Sequence, residues 1–186
     1  MTQPRILIAC IGNIFLGDDA FGVEVARRLA AIGLPEGLRV VDFGIRGIDL
    51  TYALMDGYEA VILVDAAPRG EAPGTLYVLE PTVDDTPEPE GAGTLLDAHG
   101  MDPAKVLRLA ATMGSRVGRL LLVGCEPVPC TDPDDMQDGL SEPVRSAVDM
   151  AVPLIMSLAG KLLRGEGPTA GGNDVNPVEE VGTWQA

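Results

Sequence analysis

The stretch Arg5 to Gly22, RILIACIGNIFLGDDAFG, constrains this chain more than any other. It opens on an apolar run, Ile6 to Ile11, of the length and β-branched content of a buried strand. Gly12-Asn13 then turns the chain, and Gly17-Asp18-Asp19 leads into a helical pattern with Phe21, Val25, Leu29 and Ile32 on one stripe. A strand feeding a helix through a glycine-bearing loop places that loop at the carboxyl edge of a sheet, where α/β proteins keep their sites. This loop carries two carboxylates.

The remaining pattern extends the same theme. A second strand is expected at 38–43, a helix at 48–55 and an almost wholly apolar third strand at 60–65, suited to the centre of a parallel sheet. A fourth strand at 75–79 follows after too short a loop for a parallel crossover, so it should run antiparallel to the third. A long acidic, proline-rich loop covers 80–97. Asp102 and Pro103 open a third helix as cap and first residue, with a stripe of Val106, Leu109, Ala110 and Met113. A fifth strand follows at 119–123. Ser141 and Pro143 open a last helix, which Pro153 should kink. The order implies a three-layer αβα sandwich with a mostly parallel sheet of about five strands and a central order near 2-1-3. Residues 1–164 read as one domain, and 165–186 as a disordered tail.

Composition narrows the function. The net charge of −15 argues against nucleic acid and anionic membranes as partners. No apolar stretch reaches about 18 residues, and no signal-like segment opens the chain, so a cytoplasmic setting is expected. Cys10, Cys125 and Cys130 are odd in number and read as buried thiols. A single histidine, His99, rules out a two-histidine zincin helix.

In a 2-1-3 order the first and third strands meet at the topological switch point. Asp18 and Asp19 follow the first strand and Asp65 ends the third. His99 precedes the third helix, which must start at the same edge. Asp19, Asp65 and His99 therefore can converge into a mixed oxygen and nitrogen site for a divalent ion, with open positions. Each also has a structural alternative. One of Asp18 and Asp19 is expected to cap the first helix, Asp65 can cap a loop, and His99 can be a surface residue. A proton-sharing dyad of Asp19 and Asp65 is a further arrangement. A dinucleotide site, with Asp42 as the ribose acid, is disfavoured because the loop is not G-x-G-x-x-G and the helix start is acidic. A hydrolase using Cys125 would have His99 as its only base.

At these residues the chain resembles the nickel-iron hydrogenase maturation endopeptidases. The matching segments are Gly12 to Gly22, Val41-Asp42-Phe43-Gly44, Val64-Asp65-Ala66, Pro73-Gly74-Thr75, His99-Gly100 and Val123-Gly124-Cys125-Glu126-Pro127, in order. The resemblance implies removal of a C-terminal extension from a hydrogenase large-subunit precursor after nickel insertion. It also implies metal ligation by Asp19, Asp65 and His99, with nickel supplied by the substrate and other divalent metals fitting the same site. The first of these positions is often glutamate in the family, and aspartate is one methylene shorter. Asp42 and Gly44 lie where they would help hold the substrate's C-terminus, although a strand-end turn needing glycine explains them equally well. A non-proteolytic nickel-sensing or chaperone-like module would keep the same residues.

Overall fold

The computed structural model describes residues 6–81, 103–115, 117–129 and 139–166. Five strands form one sheet in the order β2-β1-β3-β5-β4: β1 Ile6–Ile11, β2 Leu38–Gly44, β3 Ala60–Ala66, β4 Leu76–Leu79 and β5 Arg119–Cys125. Among the described residues four α-helices pack against it: α1 Phe21–Ala31, α2 Gly47–Leu54, α3 Pro103–Thr112 and α4 Glu142–Leu163. The central 2-1-3 order and the mostly parallel pairing agree with the expectation.

Strand alternation splits the core in two. Ile8, Cys10, Ile62, Val64, Leu121 and Val123 face α1 and α4. Leu7, Ala9, Val61, Leu63, Leu120 and Leu122 face α2 and α3. Both faces of the central strands are covered, which is why β1 and β3 read as unbroken apolar runs.

Three details differ from the sequence reading. Strand β4 runs antiparallel as expected, but its partner is β5, which lies between it and β3. The chain therefore crosses over the end of β5 between Ala66 and Leu76. Helix α1, expected from about Asp19, begins at Phe21, because Gly17–Ala20 form a 3₁₀ turn. On α3 the buried face is Val106, Leu107 and Ala110, whereas Met113 is exposed beyond the helix end. Helix α4 spans 22 residues with Pro153 inside it.

That last helix is long and apolar enough to meet the criterion for a membrane span. Here Val144, Ala147, Val148, Ala151 and Ile155 form a buried stripe against the sheet, so the helix is part of the sandwich core. Asp102, Cys130, residues 82–97 of the acidic loop and the tail beyond Glu166 lie outside the described residues.

Candidate active site

Close backbone approaches build the carboxyl edge. Gly12 has φ +150°, and a Cβ there would sit 2.0 Å from the carbonyl oxygen of Asp19. A Cβ on Gly22 would sit 2.0 Å from the Ile11 carbonyl oxygen and 2.6 Å from that of Val64. Both positions need glycine on steric grounds. Together they press the 3₁₀ turn and the start of α1 onto the ends of β1 and β3. Asp19, three residues before Gly22, and Asp65, the residue after Val64, thus share one edge of the sheet.

The adjacent aspartates divide their work. Asp18 is buried, and its carboxylate accepts three hydrogen bonds: from the Val128 N–H at 2.9 Å, the Ser141 N–H at 2.6 Å and the Ser141 hydroxyl at 2.9 Å. It ties the segment after β5 and the start of α4 to the first loop. The expectation that one of the pair caps the first helix is not met, because neither end of the Gly17–Phe21 region has a side-chain cap. Three acceptor bonds to two long-range partners replace one local bond. Asp19 instead accepts the Asn13 N–H at 2.9 Å through Oδ2. Burial pushes its carboxyl above the ordinary value, and the Asn13 N–H pulls it back in part. A desolvated carboxylate whose charge is undercompensated suits a cation.

Asp65 is 7% exposed at the end of β3 and lies on the face covered by α2 and α3. Oxygen donors at Asp19 and Asp65 fit a hard or borderline divalent ion. Among the described residues no three of His, Cys, Asp and Glu gather into a metal-binding group. The expected third ligand, His99, lies outside the described residues.

Asp42 and Gly44 shape a turn beside this edge. Asp42 Oδ1 accepts the Gly44 N–H at 2.9 Å, and Gly44 accepts the Gly12 N–H at 3.1 Å. The Arg46 side chain donates to the carbonyl oxygens of Asp42 and Phe43. A groove of about 320 Å³ runs between this turn and the first loop, walled by Asn13, Phe15, Asp42, Gly44 and Ile45. Ile14, Phe15 and Ile45 are exposed on or beside it.

Cysteine chemistry is disfavoured. Burial, then the nearby Asp18 and Glu126 charges, push the Cys125 thiol up to about 12, and burial pushes Cys10 up as well. Both stay protonated near neutrality, and a thiol is a poor nucleophile.

Glu126, whose role the sequence left open, is 4% exposed and accepts the backbone N–H groups of Arg69 at 2.6 Å and Gly70 at 3.1 Å. Its own N–H donates to Thr75 and its carbonyl accepts from Gly74. The loop leaving Asp65 is therefore laced to the end of β5. The signal was a glutamate and a proline directly after a buried strand, but its partners are 56 and 57 residues away in sequence.

A sequence profile described as hydrogenase maturation protease matches residues 23–158. This chain belongs to the hydrogenase maturation protease family. Among curated relatives, the hydrogenase expression/formation protein HoxM of Azotobacter vinelandii is 35% identical over 153 residues, 82% of this chain and 70% of the relative. HupD of Rhizobium leguminosarum bv. viciae is 33% identical over 80% of this chain and 71% of its own length. Among solved structures, the hydrogenase maturating endopeptidase HybD from E. coli superposes with a TM-score of 0.65 at 27% identity, covering 87% of this chain and 94% of HybD. The hydrogenase 2 maturation peptidase from Thaumarchaeota archaeon SCGC_AB-539-E09 gives 0.60 at 31% identity over 84% and 98%. The fold is that of these maturation proteases, and family members act on hydrogenase precursors.

Proposed function

We propose that this protein is the endopeptidase that removes the C-terminal extension of a nickel-iron hydrogenase large-subunit precursor after nickel insertion, in the cytoplasm. The observation that carries the reading is the division between the two aspartates. Asp18 is consumed by three structural hydrogen bonds, whereas Asp19 keeps a desolvated carboxylate at the same edge as Asp65.

Nickel is here part of the substrate. Asp19, Asp65 and His99 offer it two carboxylates and an imidazole, leaving positions for the precursor's own ligands. Such an ion supplies charge that can polarise a carbonyl or a water. The chain's own contribution is positional. The Asn13 N–H orients Asp19, the Gly12 and Gly22 contacts hold its loop on the edge, and the turn at Asp42 and Gly44 borders the groove for the extension. A site completed only by a metal-bearing precursor makes cleavage conditional on nickel insertion.

The test mixes the purified protein with nickel-loaded and nickel-free precursor and follows the precursor's mass, with a His99→Ala variant alongside. Loss of a C-terminal peptide from the loaded precursor alone, abolished in the variant, is the expected result. Cleavage of the nickel-free precursor at the same rate by metal-stripped protein would sink the reading. Nickel-dependent binding without cleavage would instead identify a sensing module.

A further inference from the structure

One row of three residues crosses the sheet at its carboxyl edge. In register, Tyr77 of β4 pairs with Gly124 of β5, and Gly124 pairs with Asp65 of β3. Lateral partners in a sheet point to the same face, so Tyr77 and Asp65 flank a residue that has no side chain. The phenol ring fills the gap: a Cβ on Gly124 would meet ring carbons of Tyr77 at 2.2 Å. The ring thus lies across β5 toward β3. Its hydroxyl donates to the carbonyl oxygen of Ala67, two residues past Asp65, at 2.5 Å. Tyr77 is buried, and the Arg69 guanidinium sits 5.1 Å from its ring centroid.

The segment after Asp65 is therefore held at successive points. The Ala67 N–H donates to Cys125 at 3.0 Å, the Ala67 carbonyl accepts from Tyr77, and the Arg69 and Gly70 amides donate to Glu126. A loop on a sheet edge has no general need of a buried phenol drawn across a neighbouring strand. A carboxylate that must meet an ion at fixed geometry does need its backbone immobilised on both sides. On one side β3 supplies this. On the other, the tyrosine does.

We propose that Tyr77 is a positioning residue for Asp65, reaching over Gly124 to fix the backbone that leaves the aspartate and so the direction in which its carboxylate is presented to a divalent ion. The inference rests on Asp65 being a metal ligand, as the proposed function has it. It names a residue outside the matched motifs and explains why Gly124 within one of them has no side chain.

The test compares the full-length wild-type chain with Tyr77→Phe, which keeps the ring over Gly124 and removes only the hydroxyl. Each is titrated calorimetrically with Ni²⁺ alone, unfolded thermally, and assayed on nickel-loaded precursor. The variant is expected to bind Ni²⁺ about tenfold more weakly, with kcat/KM lowered in parallel and the unfolding midpoint nearly unchanged. Wild-type Ni²⁺ affinity in the variant would overturn the proposal, whether or not stability fell, because a purely structural tyrosine changes only the midpoint. A wild-type chain that itself bound no Ni²⁺ and left the precursor intact would remove the functional reading and this inference together. A working wild type with an indifferent variant removes the inference alone.

Discussion

Adjacent residues of identical chemistry have opposite fates here, and the difference is measurable. Replacing Asp18 by alanine removes the buried carboxylate that accepts from the Val128 amide and both Ser141 donors. The cost should be about 3 kcal/mol, since bonds to a charged acceptor contribute about 1.5–3 kcal/mol each and do not add fully. Asp19→Asn should behave oppositely in the metal-free protein. Its amide oxygen can still accept from Asn13, and the desolvated charge is gone. The sign follows from linkage. With the folded carboxyl raised by burial, the native state binds more protons than the unfolded state between the two pKa values, so stability falls as pH rises through that window. The penalty is complete above the folded value and absent below the ordinary value of 3.8. Urea unfolding of both variants against wild type checks this. Asp19→Asn should match or exceed wild type at pH 7, lose that advantage in acid, and fail to process precursor. A stable Asp18→Ala, or an Asp19→Asn weakened at pH 7, would contradict the assignment. The sequence showed that an Asp pair stood at a helix start, but both side chains met the same local rule. Only contacts to residues more than 100 positions away separated them.

Elements meet at glycines in this fold, because strand ends and a helix start occupy nearly the same space. Gly22 is the sharpest case, with backbone oxygens of both β1 and β3 inside the volume a side chain would take. Backbone cannot rotate away as a flexible side chain can. Gly22→Ala should therefore cost about 3 kcal/mol or more and lift the Asp19 turn off the edge, seen as a lowered unfolding midpoint together with lost precursor cleavage. Retained activity at reduced stability would show that the turn is placed by something other than this contact. At this scale much was legible. Strands β1, β2, β3 and β5 lie within a residue or two of their expected bounds and helix α4 starts where Ser141 and Pro143 place it, because apolar periodicity and helix-start chemistry are properties of the chain itself. The neighbour of β4 was not legible. A nine-residue connection excludes a parallel return but says nothing about whether β5, still more than forty residues away, will insert between. The face of α3 also shifted, since Leu107 is buried by what packs against it and not by the stripe alone.

The whole molecule carries 28 acidic residues against 13 lysines and arginines. Ion pairs such as Arg28–Asp149 and Arg164–Glu166 lie on the surface with both partners more than half exposed, where each contributes little. Self-repulsion should outweigh them, so raising ionic strength from low to near-physiological salt should raise the thermal midpoint by screening. A midpoint that falls with salt would mean the surface pairs dominate. The charge balance is composition and needs no structure. So is the αβα class, since unbroken apolar strands alternating with amphipathic helices have few other ways to bury both faces. The 2-1-3 centre and the placing of Asp19 and Asp65 at its carboxyl edge follow from crossover handedness and strand direction, which the order of elements determines. What the tertiary structure decided is which groups become neighbours across the sheet. Tyr77, Gly124 and Asp65 align only because β5 stands between β4 and β3, and Glu126 reaches Arg69 and Gly70 for the same reason. Periodicity along a chain is local and readable one residue at a time. Lateral register is a contact between distant segments, set by the packing free energy of the whole core, and no single stretch of sequence contains it.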